Sequence, residues 1–187
     1  MEKIKFKVIA AAVVAMLVTF MSQNTVAYYQ TVGSATNVVT SGNIKLIIHE
    51  KTDTGSDFPE EGVYVLPGDV VSKRVSVENV CEHPFYLRVK IVYGVDNEWL
   101  SSDDCFKLDI NDTYWEYHNG WYYYKQVVGP GETTPNVFSR VEIVGSAVDE
   151  RYGGSTLILT VEAQALQSEN NPIKDGKTHT ASGWPKE

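Results

Sequence analysis

Apolar and polar residues alternate at every second position in segment after segment downstream of residue 27. This pattern is typical of a β-strand with one buried and one solvent-facing side, and no segment there carries the 3.6-residue period of an amphipathic helix. The three clearest segments have apolar positions at Phe85, Leu87, Val89, Ile91 and Tyr93, at Val71, Val75 and Val77, and at Leu157, Leu159, Val161, Ala163 and Ala165. The chain is therefore predicted to be all-β, with these segments as core strands.

Weaker strand patterns, separated by turn residues, occur at residues 44–50, 62–66, 105–110 and 137–144. Pro-Gly-Asp at 67–69 and Pro-Gly-Glu at 130–132 place Pro and Gly where a type II turn requires them. Short strands at such spacing are typical of a jelly roll or β-sandwich. With 187 residues, 43% of them hydrophobic, the chain is long enough for a single domain of this kind.

The clearest hairpin spans residues 113–128, where Asn119-Gly120 suits the two positive φ angles of a type I′ turn. This turn sets the cross-strand pairs as His118 with Trp121, Tyr117 with Tyr122, and Trp115 with Tyr124. One face of the hairpin is predicted to lie in the core and carries Trp115, Tyr117, Tyr122 and Tyr124.

The other face of the hairpin includes Trp121 and Tyr123. Two interpretations fit these residues. They could form an exposed aromatic surface on which sugars stack, or they could be ordinary cross-strand packing in a strand rich in aromatic residues.

The first 27 residues have the order of a secretory signal peptide. Lysines at positions 3, 5 and 7 precede an apolar run at residues 8–20, a polar stretch and the small residue Ala27. The apolar run is shorter than the roughly 18–20 residues that a spanning helix needs. Export with cleavage between Ala27 and Tyr28 is predicted, which leaves no stable membrane span, and a retained N-terminal anchor is the competing interpretation.

Acidic residues outnumber basic ones, with 24 Asp and Glu against 16 Lys and Arg and a formal net charge of −8. Such a chain lacks the basic surface that attracts nucleic acid or anionic lipid. We therefore expect no nucleic-acid partner.

Cys81 and Cys105 are the only cysteines, and both lie in the part predicted to be exported, where oxidation is permitted. They form a candidate disulfide, although the sequence leaves open whether their Cα atoms come within bridging distance. A bridge would stabilise the fold by about 3 kcal/mol.

The sequence shows no pattern that points to catalysis. The four histidines lie in separate segments, and no His-Glu-x-x-His spacing places two zinc ligands on one helical face. His49-Glu50 is interpreted as a solvated strand end and His118 as an exposed hairpin residue. We expect no enzyme activity, no metal and no cofactor.

Two polar segments, 51–61 and 168–187, are predicted to be poorly ordered.

Specific motifs begin at the predicted cleavage site and continue along nearly the whole chain. They are Thr25-Val26-Ala27-Tyr28-Tyr29-Gln30-Thr31, Ser41-Gly42-Asn43-Ile44-Lys45-Leu46, Leu66-Pro67-Gly68-Asp69-Val70-Val71-Ser72-Lys73, Tyr86-Leu87-Arg88-Val89-Lys90, Trp121-Tyr122-Tyr123-Tyr124-Lys125, Val161-Glu162-Ala163-Gln164-Ala165-Leu166-Gln167 and Ala181-Ser182-Gly183-Trp184-Pro185. Together they resemble the exported TasA/camelysin-like family of Gram-positive bacteria.

The resemblance implies a jelly-roll domain at residues 28–167, followed by a polar C-terminal segment at 168–187. It also implies a signal peptide at residues 1–27 that a SipW-type signal peptidase removes. The expected product is a secreted structural or interaction protein of the extracellular matrix or cell surface. It would associate with itself or with related matrix subunits in biofilm fibres.

In the best-known relatives, fibres form when an N-terminal strand passes into the next subunit. The residues here that would make such a donor strand are Tyr28, Tyr29, Val32, Val38 and Val39. A released, β-capable segment can supply backbone hydrogen bonds to an open sheet edge, and the alternative is that it pairs within its own sandwich. Two other functions stay open, an exported camelysin-like metalloprotease and a surface carbohydrate or adhesion module.

Overall fold

The structure, a computed structural model, describes residues 29–34, 38–40 and 44–185. Within these residues the strands are β1 (Tyr29–Ser34), β2 (Val38–Thr40), β3 (Leu46–Lys51), β4 (Val63–Val65), β5 (Val70–Asn79), β6 (Phe85–Val95), β7 (Phe106–Leu108), β8 (Trp115–His118), β9 (Trp121–Tyr124), β10 (Phe138–Ile143) and β11 (Thr156–Gln167). Two short 3₁₀ helices are η1 (Glu150–Tyr152) and η2 (Thr178–Thr180). No helix in this described part has the length and apolarity to cross a membrane.

The strands form two sheets that pack face to face. The larger sheet has the order β4-β1-β11-β6-β9-β8, with β2 also paired to β11, and the smaller sheet has the order β3-β5-β10-β7. Inward side chains of both sheets meet in one large hydrophobic cluster, where Val77 of β5, Leu87 of β6 and Leu159 of β11 are all buried. The chain is an all-β sandwich, as the alternating pattern predicted.

All three predicted core strands are confirmed. β6 and β11 pair antiparallel over eleven positions, from Phe85 opposite Gln167 to Val95 opposite Leu157. β5 lies between β3 and β10 in the smaller sheet. The four weaker patterns correspond to β3, β4, β7 and β10, with ends shifted by one or two residues, which is the usual uncertainty of a strand boundary.

The turns follow the sequence chemistry. Gly68 and Gly131 have φ angles of +93° and +71°, in the left-handed region that the third position of a type II turn needs. Asn119 and Gly120 have φ angles of +47° and +84°, as a type I′ turn requires. The predicted hairpin register is confirmed along its whole length.

Only part of the aromatic hairpin face predicted for the core is buried. Trp115 and Tyr124 lie inside with their ring centroids 5.2 Å apart. Tyr122 is half-buried, and Tyr117 is 62% exposed. The prediction is wrong for Tyr117 because β8 is the edge strand of its sheet, so that its ring packs on one side against Tyr122, 5.1 Å away.

Both segments predicted to be poorly ordered are packed against the sandwich. In the loop at 51–61, Phe58 is buried and its N–H donates to the carbonyl of Glu50 at 2.9 Å. In the C-terminal segment, Thr178 is buried and its hydroxyl donates to the carbonyl of Tyr124 at 2.7 Å. The prediction of poor order from polar composition is wrong because a few contacts, such as those of Phe58 and Thr178, hold each segment in place.

The candidate disulfide is not formed, and Cys81 and Cys105 are both free thiols. Cys81 lies two residues past the end of β5. The carbonyl of Cys105 accepts from the N–H of Val144, just past the end of β10 that pairs with the start of β5. The ten residues of β5 therefore separate them by about 30 Å, and a bridge needs Cα atoms within ~7 Å of each other. Burial raises the pKa of the Cys105 thiol, which keeps it protonated.

Asp109 holds the backbone of β10 where its pairing with β5 is irregular. The register against β5 shifts between Phe138 and Arg140. Asp109 Oδ1 accepts from the N–H groups of Ser139 and Arg140, each at 2.7 Å. Partial burial disfavours the charged carboxylate, but the hydrogen bonds from Ser139 and Arg140 together outweigh burial and hold the pKa of Asp109 below its ordinary value.

We expect Asp109→Ala to lower the free energy of unfolding by about 1–3 kcal/mol at neutral pH, because two backbone N–H groups lose their acceptor. The folded-state pKa lies below the unfolded value of 3.8. The carboxylate therefore contributes fully above that value, and its contribution is lost as the pH falls through the folded-state pKa. Urea unfolding of both proteins at neutral pH and at about pH 2.5 measures this. An equal deficit at both pH values would contradict the assignment.

Candidate functional site

The N-terminal strand lies in a slot between two strands of the larger sheet. On one side β1 pairs parallel with β11, and on the other it pairs antiparallel with β4. Gln30, for example, lies opposite Thr156 of β11 and opposite Tyr64 of β4. Both edges of β1 are therefore hydrogen-bonded, which makes it an internal strand of the sheet.

The second N-terminal strand continues along the same edge of β11. From Thr31 to Val38 the N-terminal segment advances seven residues while β11 advances six, from Leu157 to Ala163. The opposite edge of β11 is paired with β6 along its length. β1 and β2 thus form one interrupted strand on a single edge.

The structure places the predicted donor-strand residues in these two strands. Tyr29 and Val32 belong to β1, and Val38 and Val39 belong to β2. All four lie in the chain's own sheet: Tyr29 is paired with Val65 of β4, and the other three are paired with β11. Tyr28 and the predicted cleavage site at Ala27 lie outside the described residues.

Of the two strands that flank the slot, β4 depends on β1 for its pairing. Among the described strands, β4 pairs with β1 alone, whereas β11 also pairs with β6. Val65 of β4 faces the core and is buried, and Tyr64 points outward and is 73% exposed. Removing β1 would leave β4 without a partner and would open the edge of the twelve-residue strand β11.

A buried ion pair lies on the inward face of the smaller sheet. Lys73 Nζ of β5 donates to Glu50 Oε2 of β3 at 2.8 Å, and the two side chains are 3% and 11% exposed. The ammonium group also lies 4.5 Å from the centre of the Phe58 ring. Burial lowers the pKa of Lys73, and the Glu50 carboxylate partly opposes this effect. Glu50 Oε1 is buried with no hydrogen-bond partner among the described residues.

The interpretation of His49-Glu50 as a solvated strand end is wrong. Strand alternation sends the two side chains to opposite faces of β3. Glu50 points inward to Lys73, and His49 Nε2 lies 2.7 Å from the carboxylate of Glu78. Within the described residues, no group of three or more His, Cys, Asp or Glu side chains could hold a metal ion.

The last described residues, 178–185, cover the outer face of the larger sheet and are called the C-terminal clasp here. Its anchor is Arg88 of β6, which is buried. The guanidinium carbon lies 4.2 Å from the ring centre of Trp121 and 4.9 Å from that of Trp184 in the clasp. This stacking holds the cation between two aromatic faces.

Hydrogen bonds complete the environment of Arg88. Its guanidinium donates twice to Gln164 Oε1 of β11, at 3.0 and 2.6 Å, and once to the hydroxyl of Tyr123, at 2.9 Å. It also donates to the carbonyl of Pro185 at 3.3 Å. Arg88 therefore joins three strands to the clasp.

The C-terminal motif at 181–185 fits this surface closely. Ala181 is buried beside Leu166. A Cβ on Gly183 would come within 3 Å of the side chains of Asn171 and Leu166, which would have to move to admit it. The indole N–H of Trp184 donates to the carbonyl of Thr178 at 2.9 Å, which closes the clasp on itself.

The predicted exposed aromatic surface is wrong. Trp121 and Tyr123 are 2% and 4% exposed. They do lie on the outer face of the hairpin, as the register required. Trp184 covers Tyr123, with the two ring centroids 5.5 Å apart, and Arg88 lies over the ring of Trp121. Both covering residues lie outside the hairpin, so the hairpin pattern carried no signal for them.

His118 is exposed, as predicted, and stacks on the clasp. Its ring lies 4.3 Å from that of His179 with an interplanar angle of 16°. His179 Nδ1 lies 3.3 Å from a carboxylate oxygen of Glu116. The hairpin thus contacts the clasp through a polar cluster as well as through Trp121 and Tyr123.

Sequence analysis missed Lys73, Arg88 and Trp99. Lys73 stands at the inward parity of β5, between Val71 and Val75, and a charged residue at such a position was a usable signal for a buried ion pair. Arg88 stands at the outward parity of β6, where an arginine is ordinary. Trp99 lies in the loop between β6 and β7, outside any period, and is 86% exposed.

Comparison with known proteins gave no relative. No protein-family model, no curated protein and no solved structure matches this chain.

Proposed function

We propose that this chain is an exported, non-enzymatic structural protein of a bacterial cell surface or biofilm matrix. In this proposal it resembles the TasA/camelysin-like proteins, and a SipW-type signal peptidase releases it at Ala27. Copies then associate by placing the N-terminal strand of one copy into the slot of the next. The observation that supports this most is the strand order β4-β1-β11, in which the N-terminal strand fills a gap between two strands.

An empty slot would be unfavourable, so a strand is expected to fill it at all times. An open sheet edge exposes unpaired N–H and C=O groups that pair readily with any available strand. Here β11 would present a long edge on one side of the gap, and β4 would lose the one described strand it pairs with. An occupant is therefore needed, and a strand from another copy supplies the same backbone bonds as the chain's own strand.

Exchange of the strand conserves its contacts. If β1 of one copy enters the slot of another, Gln30 again lies between Thr156 and Tyr64, now those of the neighbour. Such a swap changes the free energy little within each slot, and repeated head-to-tail placement gives an open chain of subunits. Fibre formation by this route needs no new side-chain interface between copies.

Acidity is expected to regulate assembly. The full sequence has a net charge of −8 and a pI of about 5.0, and release at Ala27 removes three Lys and one Glu, so the released copies are more acidic still and repel one another at neutral pH. Protonation of carboxylates near pH 5 removes much of that repulsion. We expect fibres to form faster at mildly acidic pH than at neutral pH.

Negative-stain electron microscopy of protein beginning at Tyr28 tests the proposal, with protein beginning at Thr40 as its matched partner. We expect fibres from the first and none from the second, because the second lacks β1 and all of β2 except its last residue. Circular dichroism of the shorter protein shows whether its sandwich remains folded. Monomers from both proteins across the pH range, at high concentration, would overturn the proposal.

A further inference from the structure

An exposed tryptophan borders an open concavity at one end of the sandwich. Trp99 is 86% exposed, whereas Trp115 and Trp121 are buried and Trp184 is half-buried. The concavity measures about 600 Å³ and is lined by Asp96, Asn97, Glu98, Trp99, Gly153, Gly154 and Ser155. This volume lies within the range of small-molecule sites in proteins.

Hydrogen bonds fix the loop that carries Trp99. Asp96 and Thr156 exchange two bonds: Asp96 Oδ1 accepts from the Thr156 N–H at 2.7 Å, and the Asp96 N–H donates to the Thr156 carbonyl at 3.0 Å. Asn97 Oδ1 accepts from the N–H of Trp99 at 3.1 Å. The hydroxyl of Tyr152 donates to the carbonyl of Ser101 at 2.7 Å. The indole is thus presented from a built loop.

Part of the lining of the concavity is glycine backbone, at Gly153 and Gly154. A Cβ on Gly154 would meet nothing within 4 Å, so the space at this position is open. The absence of side chains at these two positions leaves room for a ligand that stacks on the indole.

The chemistry of the lining favours a sugar. The apolar C–H face of a hexose stacks on an indole ring, and its hydroxyls donate to carboxylate and amide oxygens, of which Asp96, Asn97 and Glu98 supply several. A contact site for another protein typically surrounds its tryptophan with apolar side chains, whereas this lining is mostly polar. The carboxylates of Asp96 and Glu98 in the lining carry negative charge, which repels anionic polysaccharides.

We propose that the concavity beside Trp99 binds neutral hexose or N-acetylhexosamine chains. The proposal does not depend on strand exchange. The concavity lies beside Thr156, which pairs with Gln30 of β1, and that pairing is the same whether β1 comes from this copy or from another. It also moves carbohydrate binding from Trp121 and Tyr123, which are buried, to the exposed loop.

Nuclear magnetic resonance of the indole N–H groups tests this proposal. The sample is ¹⁵N-labelled protein beginning at Tyr28, which contains every strand that the structure describes. Trp99→Phe assigns the Trp99 signal. Titration with cellotetraose and with the tetramer of N-acetylglucosamine is expected to shift this signal and to leave those of Trp115 and Trp121 in place.

Trp99→Ala is expected to weaken binding of the same tetrasaccharides about tenfold or more, the loss of one stacking contact. Tyr64→Ala, at another exposed aromatic residue, is the control and should keep the affinity. No shift with either tetrasaccharide, or unchanged affinity in Trp99→Ala, would overturn the proposal. So would a Trp99 signal that responds only to protein concentration, since the surface would then be a contact between copies.

Discussion

Replacement of Lys73 by methionine is expected to lower the free energy of unfolding by about 3–5 kcal/mol. The change leaves the Glu50 carboxylate in the interior without its cation. One oxygen of this carboxylate, Oε1, already has no hydrogen-bond partner among the described residues. Urea unfolding followed by circular dichroism measures the loss. Of the substitutions considered, this one has the largest expected effect, because an unpaired buried charge costs more than a missing contact.

Two further variants separate the charge from the packing. Glu50→Leu combined with Lys73→Met removes both charges, and its stability should return to within ~1 kcal/mol of the parent protein or exceed it. Lys51→Met breaks an exposed pair with Asp57 and should change stability by less than about 1 kcal/mol. A double variant as unstable as Lys73→Met alone would show that shape, not charge, sets the cost.

Replacement of Arg88 by alanine is expected to cost about 3 kcal/mol and to release the C-terminal clasp. The variant loses the hydrogen bonds to Gln164, Tyr123 and Pro185 and the stacking between Trp121 and Trp184. Limited trypsin digestion should then cut after Lys174 and Lys177 much faster than in the parent protein. The maximum of tryptophan fluorescence emission should shift to longer wavelength as Trp121 becomes exposed to solvent.

Arg88→Lys and Arg74→Ala serve as controls for this prediction. Lysine keeps the charge but lacks the planar guanidinium, which stacks on the indoles of Trp121 and Trp184 while its N–H groups donate in several directions, so an intermediate loss is expected. Arg74 is exposed on β5, and its removal should change stability by no more than about 0.5 kcal/mol. Unchanged digestion of Arg88→Ala would show that the clasp is held by other contacts.

Local pattern was enough to predict the strands and the hairpin. Alternation identified β5, β6 and β11 because each has one face in the core and one toward solvent. The Asn119-Gly120 turn fixed the register because only one pairing is compatible with two positive φ angles. These features depend on neighbours in the sequence.

Features that depend on distant residues were not predicted correctly. Trp121 is covered by Arg88 and Tyr123 by Trp184, and no hairpin pattern reports what lies above the hairpin. The separation of Cys81 and Cys105 depends on which end of β5 each residue reaches, which follows from sheet topology.

The buried position of Lys73 could have been predicted from the sequence. Lys73 stands at an inward-facing position of β5, between Val71 and Val75, and this signal was available.

Strand exchange between copies is the central claim, and mixed cysteine variants test it most directly. Gln30 of β1 lies opposite Tyr64 of β4. One preparation carries Gln30→Cys and the other Tyr64→Cys, so a new disulfide between these positions can form only between different molecules. Assembly of the mixture under mild oxidation, with the parent protein as control for the native cysteines, should give a covalent dimer on a non-reducing gel. Fibres that form without this cross-link would contradict the account.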